Sequence, residues 1–309
     1  MTKLILSLLL ISFISASYQV SYDPATASEM ARAAFASYCS GTSLQGMKCG
    51  ENCNNLKGYQ FLRHGIAKVI NDETVSYTTF VNPSAKKFIA AFRGTSGNTQ
   101  LITELLHSQG VKYDLNGVKN AYAGYYFFDA YRNHIRNDFI THMKAMAQKY
   151  PDYDFYITGH SLGGALASLA VIDLPANGIA NKNHIHLYTF GSPRVGDANM
   201  AKAVLDNVYE AWRITHNKDI VPHVPPCNIA NGVCTPYIYD ISKDDIPVFT
   251  NAYHLGQEVY YAQDFKSYRI CQGAEDSKCS NQWDLFALIF SKDAFGDHLN
   301  YLGVANKCA

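Results

Sequence analysis

Apolar positions recur with two different periods along the chain, and the two periods alternate. Short runs of β-branched and aromatic residues predict strands, whereas apolar residues spaced three and four apart predict amphipathic helices. The predicted strands span residues 75–81, 87–92, 153–159, 184–190, 208–215, 237–241, 256–261 and 268–271. The predicted helices span residues 23–37, 128–146, 162–174, 198–205 and 283–290. Because strands and helices alternate, we expect an α/β fold with a mainly parallel central sheet flanked by helices.

The first residues have a different pattern from the rest of the chain. Residues 4–14 form an apolar run behind Lys3, and the small residues Ser15, Ala16 and Ser17 follow. This order predicts a signal peptide over residues 1–17, and therefore a secreted, extracellular protein. A membrane anchor is the alternative, but the run is shorter than the roughly 20 residues that a spanning helix needs. No linker divides the remainder, so residues 18–309 are predicted to form one domain.

Charge and cysteine content narrow the class of protein further. Lysine and arginine number 26 and aspartate and glutamate also number 26, so we expect no nucleic-acid partner. Eight cysteines in an exported chain predict four disulfides. Local spacing favours Cys49–Cys53, Cys227–Cys234 and Cys271–Cys279, although eight cysteines allow 105 pairings. Zinc binding through Cys49 and Cys53 is the disfavoured alternative, and we expect no metal.

The sequence Thr158-Gly159-His160-Ser161-Leu162-Gly163 joins a predicted strand to a predicted helix. Glycines on either side of Ser161 allow the strand and the helix to approach closely, because they lack a Cβ atom. This is the strand, sharp turn and helix of a nucleophile elbow, which presents a serine hydroxyl at a helix N-terminus. We therefore predict that Ser161 is a catalytic nucleophile. The alternative is a glycine-rich turn with an incidental serine.

A serine nucleophile needs a base, and the base needs a carboxylate that orients it. After an elbow the acid precedes the histidine in the chain, and both follow strands of the sheet. Asp219 lies just beyond the second strand after the elbow and is the predicted acid. Asp173 is an alternative, but its place late in the elbow helix predicts that it faces solvent. Weaker alternatives, one strand later, are Asp240, Asp244 and Asp245.

His298 is the predicted base, because it lies in the final loop with only a short tail after it. The alternative, His254, precedes a strand and would point from the opposite edge of the sheet. His216 and His223 flank Asp219 and are expected to pack or hydrogen-bond locally. The side chain of His160 is expected to point away from the nucleophile, into the body of the fold.

An acyl-transfer site also needs hydrogen-bond donors for the oxyanion of the tetrahedral intermediate. The backbone N–H of Leu162, the residue after the nucleophile, is one predicted donor. The other is Thr95, in the glycine-rich loop directly after the predicted strand 87–92. The alternative for this loop is a simple β-turn.

Five segments together resemble the secreted class 3 lipases of the filamentous-fungal type. They are Phe92-Arg93-Gly94-Thr95, Thr158-Gly159-His160-Ser161-Leu162-Gly163-Gly164-Ala165, Thr189-Phe190-Gly191-Ser192-Pro193-Arg194-Val195-Gly196-Asp197, Arg213-Ile214-Thr215-His216-Asn217-Lys218-Asp219-Ile220-Val221-Pro222 and Asp297-His298-Leu299-Asn300-Tyr301. The resemblance implies an α/β-hydrolase fold and hydrolysis of carboxylic esters without a metal or organic cofactor. It also implies the triad Ser161, Asp219 and His298, and a lid after Thr95. A Cys39–Cys308 disulfide, which would tie the two ends of the chain together, is favoured by the resemblance too.

The predicted lid is a short amphipathic helix after Thr95. Its apolar residues Leu101, Ile102 and Leu105 fall at helical spacing, and they are the predicted substrate-covering residues. Members of the family often have a tryptophan and an aspartate where this chain has Leu101 and Glu104. The departure affects the expected chain-length preference and interfacial activation, and leaves the expected chemistry unchanged.

The resulting hypothesis is a secreted, monomeric triacylglycerol lipase that acts on lipid esters at an oil–water or membrane interface. Phospholipase A1 activity and feruloyl or aryl esterase activity are alternatives within the enzyme class. A catalytically silent lipid-binding protein with the same fold is the alternative from another class.

Overall fold

A computed structural model describes residues 20–69, 73–95, 109–230, 233–235, 252–305 and 307–308. Several predictions concern residues outside these ranges: the signal peptide 1–17, the strand 237–241, the lid residues Leu101, Ile102 and Leu105, and the alternative acids Asp240, Asp244 and Asp245.

Helices and strands alternate along the described chain, as the hydrophobic pattern predicts. The helices are α1 (Pro24–Ala36), α2 (Gly41–Leu44), α3 (Gly50–Asn54), α4 (Tyr125–Asp129), α5 (Arg136–Lys149), α6 (Leu162–Ala176), α7 (Ala198–Asp206), α8 (Leu285–Ile289) and α9 (Ala294–His298). The strands are β1 (Gln60–Lys68), β2 (Thr74–Asn82), β3 (Lys87–Phe92), β4 (Gly110–Lys112), β5 (Tyr122–Gly124), β6 (Asp154–His160), β7 (Ile185–Phe190), β8 (Glu210–His216), β9 (Asn228–Ala230), β10 (Val233–Thr235), β11 (Gln257–Tyr261), β12 (Tyr268–Ile270), β13 (Asn300–Tyr301) and β14 (Val304–Ala305).

The central sheet has eight strands in the order β1-β2-β3-β6-β7-β8-β11-β12. The five strands from β3 to β11 are parallel to one another. β1, β2 and β12 add antiparallel pairings at the two edges. The prediction of a mainly parallel sheet is therefore confirmed for its centre, where the buried strands carry near-continuous apolar runs.

Two apolar cores cover the two faces of this sheet. Along β3, Phe88 and Phe92 point into one core with α5 and α6, whereas Ile89 points into the other core with α1. This alternation follows from the two-residue period of a strand. Helix α1 begins after Asp23, whose carboxylate accepts hydrogen bonds from the backbone N–H groups of the first turn.

The parallel strands end in one row at what we call the carboxyl edge of the sheet. In this row Phe92 is opposite Gly159, His160 is opposite Phe190, and His216 is opposite Tyr261. The loops that leave this row carry Thr95, Ser161 and Asp219. Side chains distant in sequence are thereby brought to one edge, where open α/β sheets place their ligand sites.

Two local structures differ from the sequence-based expectation. The predicted helix 128–146 is a longer helical stretch, 125–149, in which a π-helical segment, Ala130–Ile135, separates α4 from α5. The segment inserts extra residues without ending the apolar stripe, so the spacing alone could not reveal it. The predicted helix 283–290 is shorter and begins at Leu285, because the carboxylate of Asp284 caps the N–H groups of Phe286 and Ala287.

Two ion pairs are formed by fully buried side chains: one joins two neighbouring strands, and the other binds the chain after β12. Arg213 on β8 donates to Glu258 on β11 at 2.9 Å, and Arg194 donates two hydrogen bonds to Glu275 at 3.0 and 2.9 Å. Buried charges of this kind are stable only when paired. The pairing explains how Arg194 and Arg213, both within the family-like segments, are accommodated in the interior.

Three of the predicted disulfides are present among the described residues. They are Cys39–Cys308, Cys49–Cys53 and Cys271–Cys279, with Cα–Cα distances of 5.4, 5.1 and 6.2 Å. The prediction for Cys227–Cys234 depends on the side chain of Cys234, which lies outside the described residues.

Removing the Cys39–Cys308 disulfide is expected to destabilise the protein strongly. The bond closes a loop with a sequence separation of 269 residues, and constraint of so long a loop in the unfolded chain is worth about 2–5 kcal/mol. The double variant Cys39→Ser/Cys308→Ser should therefore show that loss in equilibrium urea unfolding. The matched control is Cys49→Ser/Cys53→Ser, whose separation is only 4 residues. Equal losses in the two variants would contradict the loop-length explanation.

Candidate active site

Ser161 lies on a sharp turn between β6 and α6. Its backbone has φ +60° and ψ −131°, which a residue with a side chain rarely adopts. A Cβ atom on Gly159 would lie 2.2 Å from the carbonyl carbon of Gly163, and one on Gly163 would lie 2.1 Å from the carbonyl oxygen of Phe92. Only glycine fits at these two positions, because strand and helix backbones touch there. The predicted strand–turn–helix geometry is therefore present.

The turn is fixed by backbone hydrogen bonds on both sides of the serine. Ser161 N–H donates to the carbonyl oxygen of Phe190 on β7 at 2.9 Å, and Gly164 N–H donates to the carbonyl oxygen of Ser161 at 2.9 Å. Ser161 is 1% exposed, and its Oγ has no hydrogen-bond partner among the described residues. The hydroxyl is thus held in position by its backbone, with its own hydrogen-bonding capacity unused.

Asp219 and His298 meet although they are 79 residues apart. The Nδ1 atom of His298 lies 2.9 Å from Oδ2 of Asp219, and both side chains are almost fully buried. Oδ1 of Asp219 accepts from the backbone N–H of Val221 at 2.8 Å. Tyr301, three residues after the histidine, donates its hydroxyl to Oδ2 of the same carboxylate. Asp219 therefore accepts from three donors.

These donors determine the charge of the aspartate. Burial by itself raises the pKa of Asp219, but the attraction of His298 and the hydrogen bonds from His298, Tyr301 and Val221 lower the pKa below its ordinary value. The carboxylate is therefore ionised at neutral pH. The Tyr301 hydroxyl stays protonated, because burial and the nearby carboxylate hold its pKa well above the ordinary value.

The ionised carboxylate fixes the tautomer of His298. A carboxylate only accepts hydrogen bonds, so Nδ1 of the imidazole carries the proton. In the neutral ring the lone pair is then on Nε2, which is buried and has no partner among the described residues. An imidazole with an available Nε2 lone pair can remove a proton from a hydroxyl.

His160, the residue before Ser161, supports the backbone of His298. Its ring lies 4.5 Å from the ring of His298 between centroids, and its Nε2 donates to the carbonyl oxygen of His298 at 2.6 Å. Nδ1 accepts from the hydroxyl of Tyr38 at 2.8 Å. Burial, together with repulsion from the nearby imidazole of His298, lowers the pKa of His160 to about 3, so the ring of His160 stays neutral and keeps this arrangement. Its packing against Phe35 on α1, at 4.6 Å between centroids, agrees with the predicted orientation into the body of the fold.

The loop after β3 lies against Ser161. A Cβ atom on Gly94 would be 3.0 Å from Cβ of Ser161 and 2.7 Å from the carbonyl oxygen of His160. Thr95, the next residue, has a buried Oγ1 without a hydrogen-bond partner among the described residues. Leu162 is the first residue of α6, where backbone N–H groups have no partner within the helix. The two predicted oxyanion donors, Thr95 and Leu162, thus flank Ser161.

The alternative acid, Asp173, is not near the histidine. The sequence-based expectation that it faces solvent is wrong, because its side chain is fully buried. Arg136 donates to it from Nε and Nη2 at 2.7 and 2.6 Å, and Tyr131 donates at 2.6 Å. Asp173 therefore joins α6 to the neighbouring helices. The prediction failed because the donors come from a helix that is 37 residues away in sequence.

The three other histidines considered from the sequence, His216, His223 and His254, are also buried. His216 donates from Nδ1 to the carbonyl oxygen of Asp297 at 3.0 Å, in agreement with the predicted local role. His223 is buried, and burial lowers its pKa to about 3. His254 precedes β11, at the edge of the sheet opposite the carboxyl edge, and burial lowers its pKa well below the ordinary value. Neither of the last two contacts Asp219 through a hydrogen bond among the described residues.

Sequence reasoning missed Tyr301, Tyr38 and Gly191. A Cβ atom on Gly191, whose φ is +54°, would be 2.5 Å from Oδ2 of Asp219 and 3.0 Å from Nδ1 of His298. Glycine there leaves room for the Asp219–His298 pair. The short spacing from His298 to Tyr301 is visible in the sequence, but nothing in it indicates that the hydroxyl returns to the carboxylate.

Replacing Tyr301 with phenylalanine is expected to lower kcat by about tenfold. The variant keeps the buried ring but removes a charge-assisted hydrogen bond to Asp219, which is worth about 1.5–3 kcal/mol. Part of that energy appears in the transition state, where the carboxylate balances the imidazolium charge. KM for a dissolved ester should change little. A fall in KM and thermal stability without any change in kcat would contradict a role in orienting the base.

One group of potential metal ligands occurs among the described residues. Ligand atoms of Glu258, Cys271 and Cys279 lie within 4.8 Å of one another. The two cysteines form a disulfide, and Glu258 is paired with Arg213. These atoms are therefore already engaged and do not offer a metal site.

Comparison with known proteins places these features in a family context. Residues 89–229 match the sequence model of the family described as Lipase (class 3). Lipase ZK262.3 of Caenorhabditis elegans is 31% identical over 231 residues, which cover 72% of this chain and 64% of the relative. A lipase of Rhizomucor miehei is 30% identical over 225 residues, which cover 72% of this chain and 53% of the relative. The chain thus spans roughly half to two thirds of the length of these relatives.

The fold comparison extends further along the chain. A solved triacylglycerol lipase, whose catalytic centre is described as a serine protease triad, superimposes with a TM-score of 0.72 and 25% identity. The superposition covers 92% of this chain and 95% of that structure. The similarity therefore extends over most of the chain, in agreement with the α/β-hydrolase fold.

Proposed function

We propose that the chain is a member of the class 3 lipase family and a secreted serine hydrolase of lipid carboxylic esters, with triacylglycerol as its main substrate class. One observation carries the proposal. The Asp219–His298 hydrogen bond leaves Nε2 of the histidine available as a base, beside a strained elbow that presents Ser161. Ser161 Oγ and His298 Nε2, the two atoms between which the proton would move, are both buried and make no hydrogen bond to each other or to any other described residue.

The proposed reaction has two stages. In the first, His298 Nε2 takes the proton of Ser161 Oγ as that oxygen attacks the ester carbonyl carbon. The tetrahedral intermediate collapses to an acyl-enzyme, and the protonated His298 gives its proton to the leaving alcohol. In the second, His298 takes a proton from water, and the resulting hydroxide attacks the acyl-enzyme. Collapse of this second intermediate releases the fatty acid and returns the proton to Ser161.

Two sets of groups stabilise the charges that develop. Asp219 balances the positive charge of the imidazolium ring without itself becoming protonated. The backbone N–H groups of Leu162 and Thr95 are the proposed donors to the oxyanion. No step requires a metal or an organic cofactor.

Export, interfacial action and a monomeric state are part of the same proposal. The apolar leader over residues 4–14 and the disulfides support an oxidising, extracellular location. Among the described helices, none combines the length and the apolar character that a bilayer span requires. The role of Leu101, Ile102 and Leu105 as a lid remains a prediction, because these residues lie outside the described part of the chain.

A substrate panel tests the proposed function. Purified protein should release fatty acid from emulsified triacylglycerol faster than from phosphatidylcholine, and should cleave a feruloyl ester slowly. Preference for phosphatidylcholine would indicate a phospholipase A1, and preference for the feruloyl ester would indicate an aryl esterase. Absence of hydrolysis across the panel, with retained lipid binding, would indicate a catalytically silent lipid-binding protein.

A further inference from the structure

A short helix near the catalytic histidine exposes large apolar side chains. On α8 and the residue after it, Ile289 is 42% exposed and Phe290 is 84% exposed, the largest value for a big hydrophobic residue in the described chain. Leu288, on the inner face of α8, packs into the core and is 1% exposed. We call Ile289 and Phe290 the α8 tip. Apolar surface concentrated at one point of a soluble protein marks a contact with something other than water.

The α8 tip stands at the carboxyl edge of the sheet. Both ends of the segment that carries it are attached to Lys218, the residue before Asp219. The Lys218 ammonium lies 5.1 Å from the ring centroid of Trp283 and 3.9 Å from Oδ2 of Asp293. The two ends of the segment that carries the tip are therefore attached to the loop of the candidate catalytic acid.

The chain after the tip leads directly to the candidate base. Helix α9 begins at Ala294 and ends at His298, and the next residue, Leu299, is 39% exposed. Oδ2 of Asp297 accepts from Nδ2 of Asn217 at 2.9 Å and from the backbone N–H of Lys218 at 3.2 Å. Exposed apolar groups thus occur before and after α9. Helix α9 is bound to the same loop, at Asn217 and Lys218, as the segment that carries the tip.

Helix α8, which carries the tip, is fixed by contacts at its first turn and on its inner face. Oδ1 of Asp284 accepts from the N–H groups of Phe286 and Ala287 at 3.0 and 3.2 Å. Leu288 fixes the inner face of α8 in the core. Little conformational freedom would be lost when the tip enters an apolar phase, which favours binding.

Among the described residues that adjoin the tip, acidic and basic side chains are equal in number. Asp284, Lys292 and Asp293 are exposed, and Lys218 is paired with Asp293. Two acidic and two basic side chains give no net attraction for an anionic surface, which a basic rim would provide. An uncharged apolar phase or a zwitterionic lipid surface fits this pattern.

We propose that the α8 tip is a fixed lipid anchor that inserts into the surface of a neutral or zwitterionic lipid aggregate and holds the catalytic edge against it. The proposal rests on the proposed function in one respect only, since that function supplies the reason for contact with lipid. The anchor is independent of any movement of the predicted lid, because α8 and α9 are positioned by their own contacts.

Vesicle binding by a catalytically silenced protein tests the anchor without testing the chemistry. In a Ser161→Ala background, the double variant Ile289→Ser/Phe290→Ser should bind phosphatidylcholine vesicles at least about tenfold more weakly in co-sedimentation. The matched control is Ile66→Ser/Ile270→Ser. It removes two side chains of 59% and 47% exposure on the outer strands β1 and β12, and its binding should stay within twofold. Binding of the parent should not increase when anionic lipid is added.

Activity on a dissolved ester separates anchoring from catalysis. With Ser161 intact, the tip variant should cleave a short-chain p-nitrophenyl ester within twofold of the parent rate. Equal vesicle binding by tip variant and parent would overturn the anchor, as would a parallel loss of dissolved-ester activity. If the dissolved ester is not cleaved by any form but the tip variant still loses vesicle binding, the proposed function fails and the anchor stands.

A tryptophan variant gives an independent measurement. Phe290→Trp keeps an apolar side chain suited to the lipid interface, so vesicle binding should be retained. Its fluorescence emission should shift to shorter wavelength when vesicles are added, relative to a protein with only Trp212 and Trp283. No additional shift would overturn insertion. A dimer in sedimentation velocity that the tip variant abolishes would also overturn the proposal, in favour of a second copy as the partner of the tip.

Discussion

Replacing Ser161 with alanine is expected to lower turnover of ester substrates by about 10⁴-fold or more. The variant removes the atom that forms the acyl-enzyme but leaves the turn intact, because the strained backbone is held by the hydrogen bonds to Phe190 and from Gly164. Thermal stability should stay the same or increase, since the loss of a buried hydroxyl without a partner removes an unfavourable burial. The measurement is kcat/KM on a dissolved p-nitrophenyl ester, with the unfolding midpoint as the control for folding.

His298→Ala should give a loss of similar size, because the serine and the histidine act as a unit. The double variant Ser161→Ala/His298→Ala should lose no more than about either single variant. Losses that multiply would show that the two residues act separately, and full activity in either single variant would remove that residue from the site.

Replacing Asp219 with asparagine is expected to lower kcat by about 10³- to 10⁴-fold. The asparagine can still accept from the N–H of Val221, so the loop should keep its shape. Its amide can however donate a hydrogen bond to Nδ1 of His298, which favours the tautomer with the proton on Nε2. That tautomer has no lone pair facing the serine, so the base is lost although the imidazole is still present.

Asp173→Asn is the matched control, because Asp173 is equally buried but bound to Arg136 and Tyr131. That variant should lose stability, since it leaves the arginine without its carboxylate, and the folded fraction should keep its kcat. Unchanged kcat in Asp219→Asn would reopen Asp240, Asp244 and Asp245 as the acid.

The parts of the fold that the sequence predicts are those set by local patterns. The elbow depends on glycines two residues on either side of Ser161, and the structure has backbone contacts at both. The predicted starts of α1 and α7 also depend on local residues, because the side chains of Asp23 and Asp197 accept hydrogen bonds from backbone N–H groups of the first turn. Asp219 follows β8, so its place at the carboxyl edge could be predicted, because parallel strands end on the same side. His298 is the last residue of α9, and contacts with the loop of Asp219 bring it to that edge.

Contacts between distant segments could not be predicted in this way. The charge of Asp173 is balanced by Arg136 on another helix. The backbone of His298 accepts a hydrogen bond from His160, which is in turn bonded to Tyr38, and these three residues belong to separate parts of the chain. β1 was not predicted at all, because its residues alternate only weakly between buried and exposed positions. Its position at the sheet edge, paired with β2 alone, accounts for that weak pattern.

Labelling with an active-site phosphonate tests the central claim most directly, because the reagent phosphonylates only an activated serine. The account predicts one label per protein molecule, located by peptide mass mapping on Ser161, with esterase activity lost in proportion to labelling. The Ser161→Ala and His298→Ala variants should take up almost no label, and the Ile289→Ser/Phe290→Ser variant should be labelled at the parent rate. Stoichiometric labelling of a different residue, or full esterase activity in protein labelled at Ser161, would contradict the account.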